Sequence, residues 1–132
     1  MPELIISRDG PIGRVVFSNP AKHNAMSYDM WAGLPRALQD FDADRAVRLV
    51  VLEGAGDKAF VSGADISQFE SQRTDADAQA RYNAAVEAAY QAPQQCGKPV
   101  LARIRGICMG GGLGLAAACD LRFCADDARF RM

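Results

Sequence analysis

The run Arg105-Gly106-Ile107-Cys108-Met109-Gly110-Gly111-Gly112-Leu113-Gly114-Leu115, residues 105–115, decides the reading of this chain. Four of the five positions from 110 to 114 are glycine, and glycine in a helix interior costs ~1 kcal/mol relative to alanine. That cost needs an offset, which is either close approach of the backbone to a ligand or close approach of one helix to another. A second turn, Phe60-Val61-Ser62-Gly63-Ala64-Asp65-Ile66, follows the apolar run Ala59–Val61 and leads into a candidate helix near Asp65. Amides that open a helix lack an intrahelical acceptor, and the helix dipole favours negative charge beside them. Two such amides, one from each turn, converging on one oxygen would make an oxyanion hole.

Outward from the turns, strands alternate with helices. Residues 4–8 and 12–18 flank Asp9-Gly10-Pro11 and predict a hairpin. Residues 19–26 form a loop, and Ser27 is placed as an N-cap with Asp29 in the first turn. Met30, Leu34, Leu38 and Phe41 then share a helix face, with Gly33 and Pro35 predicting a kink or a late start. The continuous apolar run within Arg48–Glu53 predicts a parallel strand buried on both faces. Residues 65–70 are read as a short helix, and 71–77 as a polar mobile stretch. Ala78, Tyr82, Val86 and Ala89 mark a second long helix, expected to stop before Pro93. Strands at 100–104, 121–125 and 128–132 complete an α/β layer architecture around a small-residue helix at 110–119. The last run stops without a turn or cap, so the chain is expected to be a truncated piece.

The 132 residues are 49% hydrophobic and 23% charged, the mix of one globular domain, with a net charge of −1. That balance argues against nucleic acid as a partner. No apolar run reaches the ~18–20 residues that span a bilayer, and the start lacks a signal-peptide pattern, so a cytoplasmic protein with no membrane partner is expected. Cys96, Cys108, Cys119 and Cys124 form no CxxC pair, and His23 is the single histidine. Reduced, mostly buried thiols and no metal site follow.

The ordered set Asn19-Pro20…Asn24-Ala25-Met26, Phe60–Ile66, Lys98-Pro99-Val100-Leu101-Ala102, Gly106, Gly110–Leu113, Ala118–Arg122 and Ala128-Arg129-Phe130 resembles the enoyl-CoA hydratase/isomerase (crotonase) superfamily. The resemblance covers nearly the whole chain and implies a crotonase-like ββα spiral. On it, residues 1–132 are an acyl-CoA-binding core lacking the family's C-terminal portion. It implies a homotrimer or a dimer of trimers, with coenzyme A as part of the substrate rather than a separate cofactor. The oxyanion-hole amides would be those of Ala64 and Gly111. Substrate contacts would come from Lys22, Asn24, Ala25, Ala64, Asp65, Ile66, Ser67 and Gly110.

The hydratases of that family use two glutamates. The resemblance puts Gly114 at the position of the first and implies that the second is on a segment after residue 132. Glycine has no side chain to move a proton or orient water. An enoyl-CoA hydratase, an isomerase or other crotonase-type enzyme, and an acyl-CoA-binding protein without turnover all remain open at this point. Asp65 is expected to cap, Asp120 to be structural, and Glu70 and Glu87 to be solvated. Ser62, His23 and Asp65 lack the Gly-x-Ser-x-Gly setting of a triad. The match of Gly112–Ala117 to a GxGxxA dinucleotide fingerprint fails. Arg105–Gly111 separates the preceding strand from the first glycine, and Asp126 and Asp127 come too early for the ribose-binding acid.

Overall fold

A computed structural model describes residues 1–65 and 76–132. The short helix expected at 65–70 and most of the polar stretch after it lie outside the described residues. Strands β1 (Glu3–Asp9) and β2 (Ile12–Ser18) form the antiparallel hairpin, with Asp9 opposite Ile12 and Gly10 at φ +59° in the turn. Helix α1 (Tyr28–Ala43) begins where Ser27 Oγ accepts from the Met30 amide at 3.2 Å. Its buried face is Met30, Trp31, Leu34, Ala37, Leu38 and Phe41, the expected stripe widened by a tryptophan and an alanine. Strand β3 (Leu49–Gly54) follows, then β4 (Ala59–Val61), helix α2 (Ala76–Gln95), β5 (Val100–Ile104), β6 (Ile107–Met109), helix α3 (Gly111–Ala118), β7 (Leu121–Cys124) and β8 (Arg129–Arg131).

The strands sort into two sheets by a simple alternation. The large sheet runs β1-β2-β3-β5-β7 and the small one β4-β6-β8. Apart from the opening hairpin every pairing is parallel. Each turn of chain therefore lays one strand on the large sheet and the next on the small sheet, and then crosses back. That is a ββα spiral. Buried side chains from β2, β3 and β5 meet α1 and α2 in one apolar core, in which Phe17 and Phe60 stack edge to face at 5.5 Å.

Three sequence expectations are corrected. Helix α2 continues through Pro93 to Gln95. Proline there removes only its own bond to the Ala89 carbonyl, one turn from the helix end, and its buried ring adds to the core. Strand β3 is not buried on both faces: every second residue is fully buried, and the alternate ones are half-exposed. On that outer face Arg14 and Arg103 pair with Glu53 at 3.2 and 3.4 Å, so a charged row replaces a helix layer. Strand β6, a three-residue element before the second glycine turn, was not expected at all.

Residues that looked like family signature act at helix ends. Lys98 Nζ donates to the carbonyls of Phe41 and Asp44 at the C-terminus of α1, where a cation is favoured. Asp120 Oδ2 accepts from the Val100 amide at 2.8 Å, and its own amide donates to the Val100 carbonyl, so its role is structural as expected. Arg122 donates to three carbonyls at the end of α3.

All four cysteines are free; Cys108 and Cys119 are buried, Cys96 is half-buried and Cys124 is exposed. Burial pushes the Cys108 thiol up to about 11 and that of Cys119 to about 12, from an ordinary 9.0. Both stay protonated in the folded chain at pH values where an unfolded chain would ionise them. Their contribution to stability is therefore complete below pH 9 and is lost as pH climbs toward 11–12. The urea midpoint is expected to fall over that window, and to fall less steeply in a Cys108→Ala/Cys119→Ala variant; equal slopes would contradict the burial. The close contact of α3 with β4 gives a second expectation. A Cβ on Gly112 would lie 2.1 Å from the Val61 carbonyl oxygen. Gly112→Ala should destabilise the protein by about 3 kcal/mol in chemical denaturation, at the upper end of overpacking costs.

Candidate functional site

The loop at residues 19–26 carries a knot of buried amides. Asn19 Nδ2 donates to the Ala25 carbonyl at 2.9 Å and to Asp65 Oδ2 at 3.1 Å. Asn24 Oδ1 accepts from the Asn19 amide, while Asn24 Nδ2 donates to the carbonyls of Ala55 and Ala59. The chain reverses through His23 and Asn24, both left-handed at φ +52° and +61°, a conformation that histidine and asparagine tolerate better than most residues. Lys22 Nζ reaches Asp65 Oδ1 at 3.2 Å, and Ser62 Oγ donates to the Lys22 carbonyl.

This knot is sewn to the first glycine turn by a parallel bridge. The Met26 amide donates to the Gly63 carbonyl and the Asp65 amide donates to the Met26 carbonyl, both at 2.8 Å. Extended backbone alternates the direction of its polar groups, so the Ala64 N–H points the opposite way. It meets no acceptor among the described residues.

The second turn is built differently. Gly110 takes φ +53° and ψ −119° as the N-cap of α3, a backbone that favours glycine. Its amide donates to the Arg131 carbonyl of β8, and its carbonyl accepts the Gly114 amide. Gly110 therefore has no free donor for a ligand. Gly111, the next residue, opens the helix, and its amide meets no acceptor among the described residues. A Cβ on Gly111 would stand 2.9 Å from the Trp31 ring, and one on Gly112 would strike β4. The glycines let α3 sit down on the first glycine turn and on α1.

Ala64 and Gly111 thus line one open cavity of about 320 Å³. Its floor is the Trp31 ring, and its wall is the face of α2 that carries Tyr82, Val86 and Tyr90, with Asn83 and Glu87 at the exposed rim. Burial raises the pKa of both tyrosines, so both phenols are neutral near pH 7. Trp31 and Tyr90 meet edge to face at 5.6 Å.

The expected site residues divide accordingly. Ala64 and Gly111 come together at the cavity. Lys22, Asn24, Ala25 and Asp65 form the polar knot that holds the Ala64 segment, with Lys22 still 44% exposed. Ile66, Ser67 and Glu70 lie outside the described residues. His23 is exposed and faces a different cleft, toward Asp57 and Lys58. Ser62, His23 and Asp65 make no triad, since Ser62 and Asp65 are committed elsewhere. Sequence reasoning missed the α2 wall; Tyr82 and Val86 stood on the predicted helix face, and Tyr90, one helical turn beyond Val86, was the signal that could have extended it. Among the described residues no group of three metal-binding side chains occurs, and no helix is long and apolar enough to cross a membrane.

Gly114 faces Tyr90. A Cβ at 114 would lie 2.8 Å from the Tyr90 ring and 2.9 Å from its hydroxyl, so the phenol occupies the space where a side chain at 114 would start. Gly114→Glu should therefore cost about 1–3 kcal/mol of stability through overpacking, read as a lower urea midpoint. Adding Tyr90→Ala should recover much of that loss; an unchanged or greater loss in the double variant would show that the two positions do not compete.

A family model described as Enoyl-CoA hydratase/isomerase matches residues 7–132. The chain is 36% identical over 132 residues to the peroxisomal Delta(3,5)-Delta(2,4)-dienoyl-CoA isomerase of Arabidopsis thaliana, covering 92% of this chain and 47% of that protein. It is 30% identical over 127 residues to the short-chain-enoyl-CoA hydratase of Clostridium acetobutylicum, covering 96% and 48%. A crystal structure of an enoyl-CoA hydratase/carnithine racemase from Magnetospirillum magneticum superposes with a TM-score of 0.90 at 39% identity, over 98% of this chain and 49% of that one. The chain spans about half the length of the curated relatives it matches. The chain belongs to the enoyl-CoA hydratase/isomerase family, and its fold is the crotonase fold.

Proposed function

We propose that this member of the enoyl-CoA hydratase/isomerase family grips an acyl-CoA thioester with the Ala64 and Gly111 amides and stabilises the enolate formed from it. The observation that carries the reading is that these two amides, from separate turns of the spiral, meet no acceptor among the described residues and line one cavity. A thioester enolate places negative charge on oxygen, and preorganised backbone donors lower its energy without a proton of their own to lose. Each such donor is worth ~3–4 kcal/mol in the transition state.

Within the family's chemistry, double-bond isomerisation fits this chain better than hydration. Hydration needs a carboxylate that positions and deprotonates water, and Gly114 with Tyr90 against it supplies none at the expected place. Isomerisation needs no positioned water, only a base that takes a proton from one carbon and returns it to another, and that base is assigned to residues of the full-length protein outside those described. The relatives' names are mixed: the Arabidopsis protein at 36% identity bears an isomerase name, while the Clostridium protein at 30% and the Magnetospirillum structure at 39% bear hydratase names. Coenzyme A enters as part of the substrate, and a homotrimer or dimer of trimers of the full-length protein belongs to the same reading.

The test is made on the full-length protein. Isomerisation of a dienoyl-CoA and hydration of crotonyl-CoA are followed by the change in enoyl absorbance. Isomerisation should proceed at an enzymic rate, ~1–10³ s⁻¹, and hydration far more slowly. Gly111→Pro removes one donor at the helix position where proline is best tolerated. It should lower isomerisation by about 10²–10³-fold, with folding checked by circular dichroism because the ring approaches Trp31. A folded variant with unchanged turnover would refute the oxyanion hole. Fast hydration of crotonyl-CoA would refute the preference for isomerisation.

A further inference from the structure

We propose that the Tyr90 hydroxyl is a third hydrogen-bond donor to the acyl thioester, acting beside the Ala64 and Gly111 amides and occupying the space left by the absent side chain at Gly114. The inference rests on the oxyanion-hole reading and adds a substrate-contacting side chain to it.

Position comes first. Tyr90 lines the same cavity as Ala64 and Gly111. Its hydroxyl would lie 3.4 Å from a Cβ on Gly111 and 2.9 Å from one on Gly114. The oxygen therefore sits over the first turn of α3, on the side where two glycines leave the helix bare. An acyl group whose carbonyl oxygen accepts from the Gly111 amide comes within reach of this hydroxyl.

Availability comes second. The hydroxyl makes no hydrogen bond among the described residues, although its ring is held edge to face against Trp31. A phenol positioned by its ring and left with a free O–H is a preorganised donor. A phenol ordinarily titrates at 10.0 and half-burial raises this one further, so it is protonated near neutral pH and can donate.

The neighbouring carboxylate does not take this role. Glu87 lies at the exposed rim, with its Oε1 toward the Gln91 amide at 3.4 Å, and it keeps its hydration. Gly114 is explained by the same arrangement, because any Cβ at 114 would displace the phenol from its place.

Tyr90→Phe in the full-length protein tests the proposal, since it removes the hydroxyl and keeps the ring against Trp31 and Gly114. Butyryl-CoA carrying an isotope-labelled thioester carbonyl serves as a non-reacting probe, and its carbonyl stretch is read by infrared difference spectroscopy. In the wild type the bound band should shift to lower frequency than in water. Tyr90→Phe should lose part of that shift, hold the dissociation constant within about threefold, and lower dienoyl-CoA isomerisation by about 10–10²-fold, a smaller loss than for a backbone donor. A band position and turnover equal to wild type in Tyr90→Phe, with Gly111→Pro having lost the shift, would overturn the Tyr90 role and leave the amide pair standing. Lower turnover with an unchanged band would also overturn it, because the hydroxyl would then act away from the carbonyl. No shift in the wild-type complex itself would bring down the oxyanion-hole reading, and the Tyr90 role with it.

Discussion

The parallel bridge between Met26 and Ala64 is the constraint on which the site depends. Its two hydrogen bonds use the Gly63 carbonyl and the Asp65 amide, which leaves the intervening Ala64 N–H with only one direction to face. The bridge could not hold alone, since two bonds at a sheet margin open readily. It is braced by buried Asn19 and Asn24, whose side chains satisfy four backbone groups on three segments, and by Asp65, which Asn19 and Lys22 both address. A buried asparagine that lost these partners would leave several polar groups unpaired at ~1–3 kcal/mol each. The polar knot therefore shapes the cavity indirectly, by fixing the Ala64 amide, to which none of its side chains bonds among the described residues.

The second amide is fixed by contact rather than by hydrogen bonds. Helix α3 lies so close to β4 that only glycine fits at position 112, and so close to Trp31 that only glycine fits comfortably at 111. The two explanations open for the glycine cluster, ligand approach and element packing, are thus the same fact seen from two sides. Packing without side chains brings the helix N-terminus into the cavity, and the bare N-terminus is what a ligand oxygen would meet. The ββα spiral makes this possible, because successive turns place β4 and β6 side by side, each delivering its following loop to the same edge of the small sheet.

The parts of this arrangement that were legible in sequence are those governed by local rules. The hairpin at Gly10, the Ser27 cap and the apolar face of α1 depend on residues close together in the chain, and all three are present. The Ala64–Gly111 pair was legible only through a resemblance, since nothing in either turn alone says that they meet. What was missed depends on tertiary packing. Pro93 is tolerated because the helix end and a buried ring compensate for one lost bond. The outer face of β3 is open because Glu53 finds two arginines on neighbouring strands, which an apolar run does not announce. Tyr90 was hidden for the same reason: its meaning comes from the rotation of α2 against α3, and a helix face read from spacing has no absolute orientation.

The Gly114–Tyr90 contact gives the cavity a phenol where a longer side chain at 114 would stand. A carboxylate at that helix position accepts protons and holds water, and its charge opposes the negative oxygen of a nearby enolate. A neutral phenol in the same space offers a proton to that oxygen and presents an apolar ring to water. The Trp31 floor and the Val86 wall add apolar surface beside the two amides. On the reading proposed above, such a lining favours charge on a thioester oxygen over activation of water, while the proton that must leave and return to carbon calls for a base that none of these lining residues supplies.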